Sequence, residues 1–190
     1  MRFRVAGILT CRAESAIVRR SMQIHVARSE LLELPVDAVV CPTNSEGWMR
    51  EGVAAALRER GGAKIEDEVR ASAPIAVGAA LVTGGGTLWA KHVIHAPMTE
   101  VPGMKIGVEN VRRATRAALI AAAQSSFDII GMPLIGVGPN GMLSDEAARA
   151  MVDELRAHRQ PKPVTIYLVS QSEFELNAFA EALRTATTIG

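Results

Sequence analysis

Apolar positions come along the chain in short runs whose period switches between two and about 3.6 residues, the spacings of strands and helices respectively. "IHVA" (24–27) and "DAVVC" (37–41) are predicted as strands, and Gly52 to Glu59 as a helix closed by Gly61-Gly62. "AALVT" and "HVIHA" are predicted as strands around a Gly84-Gly85-Gly86 turn. An alanine-rich helix is predicted over Val108 to Ala123, with Val111, Thr115, Ala118, Leu119 and Ala122 on one face. Arg112, Arg113 and Arg116 fall off that face and read as a solvated surface, since no aromatic residue interleaves them as a nucleic-acid stripe would require. After the strand "DIIGMPLI", Ser144 is placed to cap a helix with Asp145 and Glu146 in its first turn and Ala147, Met151 and Leu155 at spacing four. A last strand, Val164 to Val169, runs into Ser172-x-x-Glu175, a capping box ahead of Leu176, Phe179 and Leu183. Strands alternating with helices imply an α/β fold, a three-layer α/β/α sandwich with a mixed, mostly parallel central sheet.

At 190 residues, 48% hydrophobic and 22% charged, the chain is long enough for one well-buried core and short for two domains. Its 21 Lys and Arg against 20 Asp and Glu leave a formal charge of +1, so no global field draws it to nucleic acid or to an anionic membrane. Cys11 and Cys41 show neither metal spacing nor a disulfide framework, which fits a reducing cytoplasm. No apolar run approaches the roughly 18 residues of a membrane span. Residues 1–21 carry five arginines against Glu14 and stand apart from the rest. They read as an N-terminal extension or an extra strand at Phe3 to Leu9, as a start upstream of a domain covering 22–190, or as a weak targeting segment.

"GVGPNG" (136–141) has the Gly-x-Gly-x-x-Gly spacing of a dinucleotide-binding fingerprint. The context argues against that fold. The following helix starts only at Ser144, and His158-Arg159-Gln160-Pro161 offers no acidic residue where a ribose hydroxyl would be read. The physics of the loop remains: glycines at a strand's carboxyl end bring backbone N–H groups close to an anion, and the helix behind adds a favourable dipole. A tight structural turn is the alternative reading of the same residues. "DAVVCPTNSEGWMREGVAAALRERGG" repeats the arrangement of strand, glycine-containing loop and helix amino end.

Those two stretches, with "LWAKHVIHAP" between them, resemble the macro domain, an ADP-ribose-binding module, over about residues 22–183. The likeness is greatest to small prokaryotic stand-alone macro domains with a "WM" pair in the first loop, here Trp48-Met49. The resemblance gives Glu30, beside Leu31, the place of an acidic residue that accepts a hydrogen bond from the adenine amine, a role a carboxylate can fill as an acceptor-only group. It puts Asn44 against the distal ribose and Gly52 and Val53 beside the diphosphate. Gly136, Val137, Gly138, Pro139, Asn140, Gly141 and Met142 stand at the second loop, whose N–H groups would meet phosphate and ribose oxygens. "SQSEF" after the last strand falls where adenine-side contacts lie, and Trp48 and Phe174 are candidates to stack on ligand rings or to pack.

Several positions depart from the family pattern. Cys41 replaces the first motif Asn and reads as a buried small residue, because the sequence places no His to activate it. Arg50-Glu51 stand where glycines are usual, Val137 replaces a common Thr, and Met142 stands where an aromatic is frequent. Ala54 follows Val53 where de-ADP-ribosylating members carry a catalytic Asp, so that side chain cannot activate water. His92 and His95 point to opposite faces of a strand and form no metal pair; neither a metal nor a cofactor is expected. Two functions follow from the resemblance. One is binding of ADP-ribose or an ADP-ribosylated protein; the other is hydrolysis of an ADP-ribose derivative such as an ADP-ribosyl ester, O-acetyl-ADP-ribose or ADP-ribose 1″-phosphate, by water oriented against the substrate's own phosphate.

Overall fold

A computed structural model describes residues 22–185. The expectations for residues 1–21, the strand Phe3 to Leu9 among them, lie outside the described residues. Six strands form one sheet: β1 (Gln23–Arg28), β2 (Ala38–Asn44), β3 (Leu81–Gly84), β4 (His92–Thr99), β5 (Ile129–Met132) and β6 (Thr165–Ser170). Their spatial order is β1-β6-β5-β2-β4-β3, parallel throughout except for the antiparallel edge strand β3. Five helices cover it: α1 (Gly52–Gly61), α2 (Lys64–Ala71), α3 (Val108–Gln124), α4 (Ser144–Ala157) and α5 (Glu173–Thr185). This is the predicted mixed, mostly parallel α/β sandwich.

The layers follow from strand parity. Along β2, Ala38 and Val40 face one cluster with Val111 and Ala118 of α3, Met151 of α4 and Phe179 of α5. Val39 and Cys41 face the other, with Leu57 of α1 and Ile65 and Val69 of α2. Buried on both sides, β2 reads as a continuous apolar run, as a central parallel strand must. The alanines of α3 are largely buried and let that helix lie close against β4 and α4.

Four local expectations give way to specific competitors. Helix α2 is absent from the sequence reading because only Ile65 and Val69 mark its apolar face in eight residues. Strand β5 stops at Met132, ahead of Pro133, which has no N–H to extend a ladder. Ser144 does not cap α4: it is the first helical residue, Leu143 is at the N-cap, and no side-chain cap bond forms. At α5 the Ser172 Oγ accepts a long bond from the Glu175 N–H at 3.5 Å. The Glu175 carboxylate turns instead to Ser170, whose Oγ donates to it at 2.6 Å, so the return half of the capping box is missing.

The arginines of α3 are also more than a solvated face. Arg112 donates to Asp153 at 2.5 Å and to Glu154 at 3.3 Å, while Arg116 grips Glu154 through Nε at 2.8 Å and Nη2 at 2.9 Å. Glu154 is only 6% exposed, so the pair is an inter-helix clamp between α3 and α4. Burial pushes the Glu154 carboxyl up, but the bonds and charges of Arg116 and Arg112 outweigh that and hold it below its ordinary value of 4.5. A lowered folded-state value stabilises the fold above the unfolded carboxyl's range, and that contribution is lost as pH falls through the folded value. Glu154→Gln is therefore expected to cost about 1–3 kcal/mol at neutral pH and to flatten the acid limb of stability against pH. Denaturant unfolding across that range checks it, and parallel acid limbs for the two proteins would reject the clamp.

Candidate functional site

From β2 the chain builds β3 and β4 on one side, then returns to build β5 and β6 on the other, so the loops leaving β2 and β5 part company at the carboxyl end of the sheet. Such a reversal opens a crevice in a parallel sheet. Here it holds a cleft of about 670 Å³, within the size range of small-molecule sites.

The first wall is the loop 45–51. Asn44 ends β2, and its Oδ1 accepts the N–H groups of Glu46 at 3.1 Å and Trp48 at 3.3 Å while Nδ2 donates to the Trp48 carbonyl at 3.2 Å. Asn44 lines the cleft, yet most of its hydrogen-bonding capacity folds the loop; one N–H of the amide is left to offer. Glu66 of α2 fixes the other end, accepting the Met49 N–H at 3.0 Å and Arg58 Nε at 2.5 Å. Burial pushes the Glu66 carboxyl up, but the Met49 bond, Arg58 and the more distant Arg50 charge bring it below its usual value. Met49 itself is 1% exposed and anchors the loop in the α1/α2 layer. The sequence reading missed Glu66, for which an acidic residue beside a buried apolar pair was the only signal.

The loop delivers the amino end of α1 to the cleft. Gly52, Val53 and Ala54 line it, and the helical bonds begin only with the Ala55 N–H donating to Glu51, so three N–H groups without an acceptor among the described residues and the positive end of the helix dipole lie at the same space.

Opposite stands the glycine loop. Gly136, Val137 and Gly138 line the cleft, as do Pro139, Asn140 and Gly141. The loop closes on itself through Gly141 N–H to Gly138 O at 3.0 Å and Met142 N–H to Gly136 O at 2.9 Å, while the N–H groups of Val137 and Gly138 meet no acceptor among the described residues. Gly136 is required twice over, by φ +86° and by a Cβ position 2.3 Å from Val111 Cγ2. Gly138 has φ +123° with open space in front of it.

A third wall was not anticipated. Met98 and Thr99 end β4, and the turn Pro102-Gly103-Met104 leans over the cleft. Asn110 holds its two ends, donating to the Met98 carbonyl at 2.7 Å and accepting the Gly107 N–H at 2.9 Å. The Ile106 N–H donates to Asn140 O at 2.9 Å and ties this wall to the glycine loop. In the sequence only Pro102-Gly103 marks it, as a turn without a motif.

Four of the anticipated residues, Glu30, Leu31, Met142 and Phe174, are not on the cleft wall. Glu30 is exposed just beyond β1, at the start of a 3-10 turn (Leu31–Glu33), and Leu31 packs against the α1/α2 core. Met142 packs inward on the α3/α4 core. Trp48 lines the cleft, but with a guanidinium on each face of its indole it has no face to stack on a ligand ring. Phe174 is 66% exposed at the start of α5, away from the cleft.

The interior beneath the cleft is chemically quiet. Cys41 pairs with His95 across β2 and β4, an adjacency invisible in the sequence. Burial nevertheless pushes the Cys41 thiol up to about 12 and His95 down to about 4, so both stay neutral and no thiolate forms. His95 Nε2 meets Thr83 Oγ1 at 2.9 Å in the core. At the α1 amino end Ala54 brings a methyl group to the cleft. Thr43 adds a buried hydroxyl at the cleft whose Oγ1 has no partner among the described residues. No cluster of His, Cys, Asp and Glu suited to a metal occurs among the described residues, and no helix there is long and apolar enough to cross a membrane.

A family profile for the macro domain matches residues 40–151. A protein of Aquifex aeolicus is 41% identical over 162 residues, covering 85% of this chain and 98% of its own. Among solved structures, the Oceanobacillus iheyensis macrodomain with ADP superposes with a TM-score of 0.77 at 17% identity, covering 89% of this chain and 94% of that one. A variant of the same macrodomain with ADPR gives 0.78 at 17% identity, over 89% and 96%. At such identities the likeness is one of fold.

The glycine loop should tolerate little. Gly136→Ala forces a left-handed φ on a side chain already in collision with Val111, at an expected cost of about 2–4 kcal/mol, read as a lower denaturation midpoint. A midpoint equal to wild type would show that the loop can rearrange freely.

Proposed function

Because the chain belongs to the macro domain family, we propose that its cleft binds ADP-ribose, free or as the terminal group of an ADP-ribosylated protein. The observation that carries this reading is the convergence of two sets of unpaired backbone donors on one cleft: Gly52, Val53 and Ala54 at the amino end of α1, and Val137 and Gly138 in the glycine loop. A diphosphate between them accepts from both without needing a cationic side chain, which agrees with the near-neutral chain. In the same reading Asn44 and Thr43 offer polar atoms to the distal ribose, and the role of Glu30 toward the adenine amine requires the ligand to extend past the cleft wall toward β1.

Binding without efficient turnover is favoured over hydrolysis. Ala54 supplies no carboxylate, and Cys41 and His95 beneath the cleft are neutral and buried.

Calorimetric titration with ADP-ribose, against NAD and AMP, tests the first part: selective micromolar or tighter binding is expected. Gly138→Glu should abolish it in a folded protein by placing a carboxylate among the donors, and unchanged affinity would remove the glycine loop from the site. Turnover of an ADP-ribosylated protein tests the second part. Wild type should be slow and Ala54→Asp faster; a fast wild type with no gain in the variant would make the protein a hydrolase.

A further inference from the structure

At the lip of the cleft the Trp48 indole has Arg50 Cζ 3.8 Å and Arg70 Cζ 3.4 Å from its ring centre. Two guanidinium groups that close to one centre overlap unless they lie on opposite faces, so the three side chains form a sandwich. The indole is oriented by a third contact, Nε1 donating to Glu46 at 2.9 Å. Arg58, Arg60, Arg112, Arg113, Arg116 and Arg184 each meet a carboxylate. Arg50 and Arg70 have no carboxylate within ion-pair distance among the described residues, a property shared with Arg28, Arg149, Arg156 and Arg159, but they are the arginines that lie over an aromatic ring there, and both are exposed. Stacking occupies the plane of a guanidinium and leaves its edge of N–H donors free, in the geometry that takes a carboxylate in two parallel bonds.

The stack faces two spaces. Glu46 and Trp48 line the main cleft and also a neighbouring cavity of about 450 Å³ bounded by Arg70, Ala73 and Pro74. Arg50 faces the main cleft and Arg70 the second cavity, so the sandwich lies on the passage between them. It belongs to the α2/β3 side of the sheet, away from Glu30 beyond β1. On the ADP-ribose reading, with the distal ribose at Asn44, a group attached to that ribose has these two arginines beside its way out.

We propose that the Arg50–Trp48–Arg70 stack is an acceptor-recognition site that holds acidic side chains flanking an ADP-ribosylated residue of a peptide. The inference rests on the ADP-ribose reading of the cleft. A peptide fits better than a nucleic-acid strand for three reasons on this surface. Both indole faces are covered, so no base can stack there. Glu46, whose carboxylate accepts the indole N–H, interrupts the positive surface that a continuous phosphate backbone would have to follow, whereas separate carboxylates need only the two guanidinium edges. The chain as a whole, at +1, provides no field for a polyanion. Two separated guanidinium edges match discrete carboxylates spaced along a peptide.

The test uses two peptides carrying the same O-linked ADP-ribosyl group, one with Asp and Glu on both sides and one with Ser and Gly, alongside free ADP-ribose and an ADP-ribosylated oligonucleotide. Wild type should prefer the acidic peptide to the neutral one by about fivefold or more, a preference that shrinks with added salt. Arg70→Gln and Arg50→Gln should each lower that ratio, and the double variant should bring it to about one. Arg70→Lys, which keeps the charge and loses the planar fork, should fall between. A ratio near one in wild type, or a preference that survives in the folded double variant, overturns the assignment while free ADP-ribose still binds. A preference for the oligonucleotide overturns the peptide. Failure of free ADP-ribose to bind is a different result, and it removes the reading of the cleft on which this one stands.

Discussion

Strand β2 is the constraint from which the cleft hangs. Ala38, Val39, Val40 and Cys41 are shut off from water on both faces, so any shift in register would drive apolar side chains out of two cores at once. The strand therefore ends at a fixed point, and Asn44 at that end turns the chain by bonding its own loop. Glu66 reaches from α2 to take the Met49 N–H and closes the loop from the other side. The amino end of α1 is held in place by these two clamps, so its N–H groups are already oriented, as the proposed diphosphate contact requires.

The same burial that fixes the frame silences the reactive side chains inside it. Cys41 and His95 sit side by side across β2 and β4, the arrangement from which a thiolate–imidazolium pair is made elsewhere. Without solvent or a neighbouring charge, desolvation drives each to its neutral form, and the pair becomes packing. The cleft above presents the backbone N–H groups of two loops, Thr43 and Asn44, and the charged side chains of Glu46, Arg50 and Glu51.

The fold was largely legible because its signals were redundant: the period of the apolar positions, the glycines at strand ends and the order of the motifs all pointed to one architecture. The glycine-loop residues and Gly52 and Val53 come together at the cleft for the same reason, since backbone conformation is written locally in glycine. What stayed hidden depends on partners far along the chain. Glu66 lies 17 residues from Met49, and Glu154 is 38 from Arg116, so neither contact leaves a local pattern. The turn at Pro102-Gly103-Met104 has no periodicity at all and gains its role from the fastening of Asn110 to Met98. Ser144 and Ser172 show the opposite failure: residues with the right chemistry for a cap were outcompeted, one by a helix that starts a residue early and the other by Ser170 taking the Glu175 carboxylate.

Arginine illustrates why composition alone could not find the lip of the cleft. Among the described residues the same side chain is put to different uses, and whether a carboxylate is near is one thing that separates them. Arg112 and Arg116 have a buried one in Glu154, and they bind two helices together. Arg58 has Glu66, whose other oxygen carries a loop N–H, so that its charge steadies the cleft wall indirectly. Arg50 and Arg70 have none in reach among the described residues and lie instead against an indole, which fixes their planes without spending their donors. A guanidinium held by an aromatic face is both ordered and unsatisfied at its edge. That combination suits the carboxylate recognition proposed for the lip of the cleft, and Arg50 brings it to the loop that leads into α1.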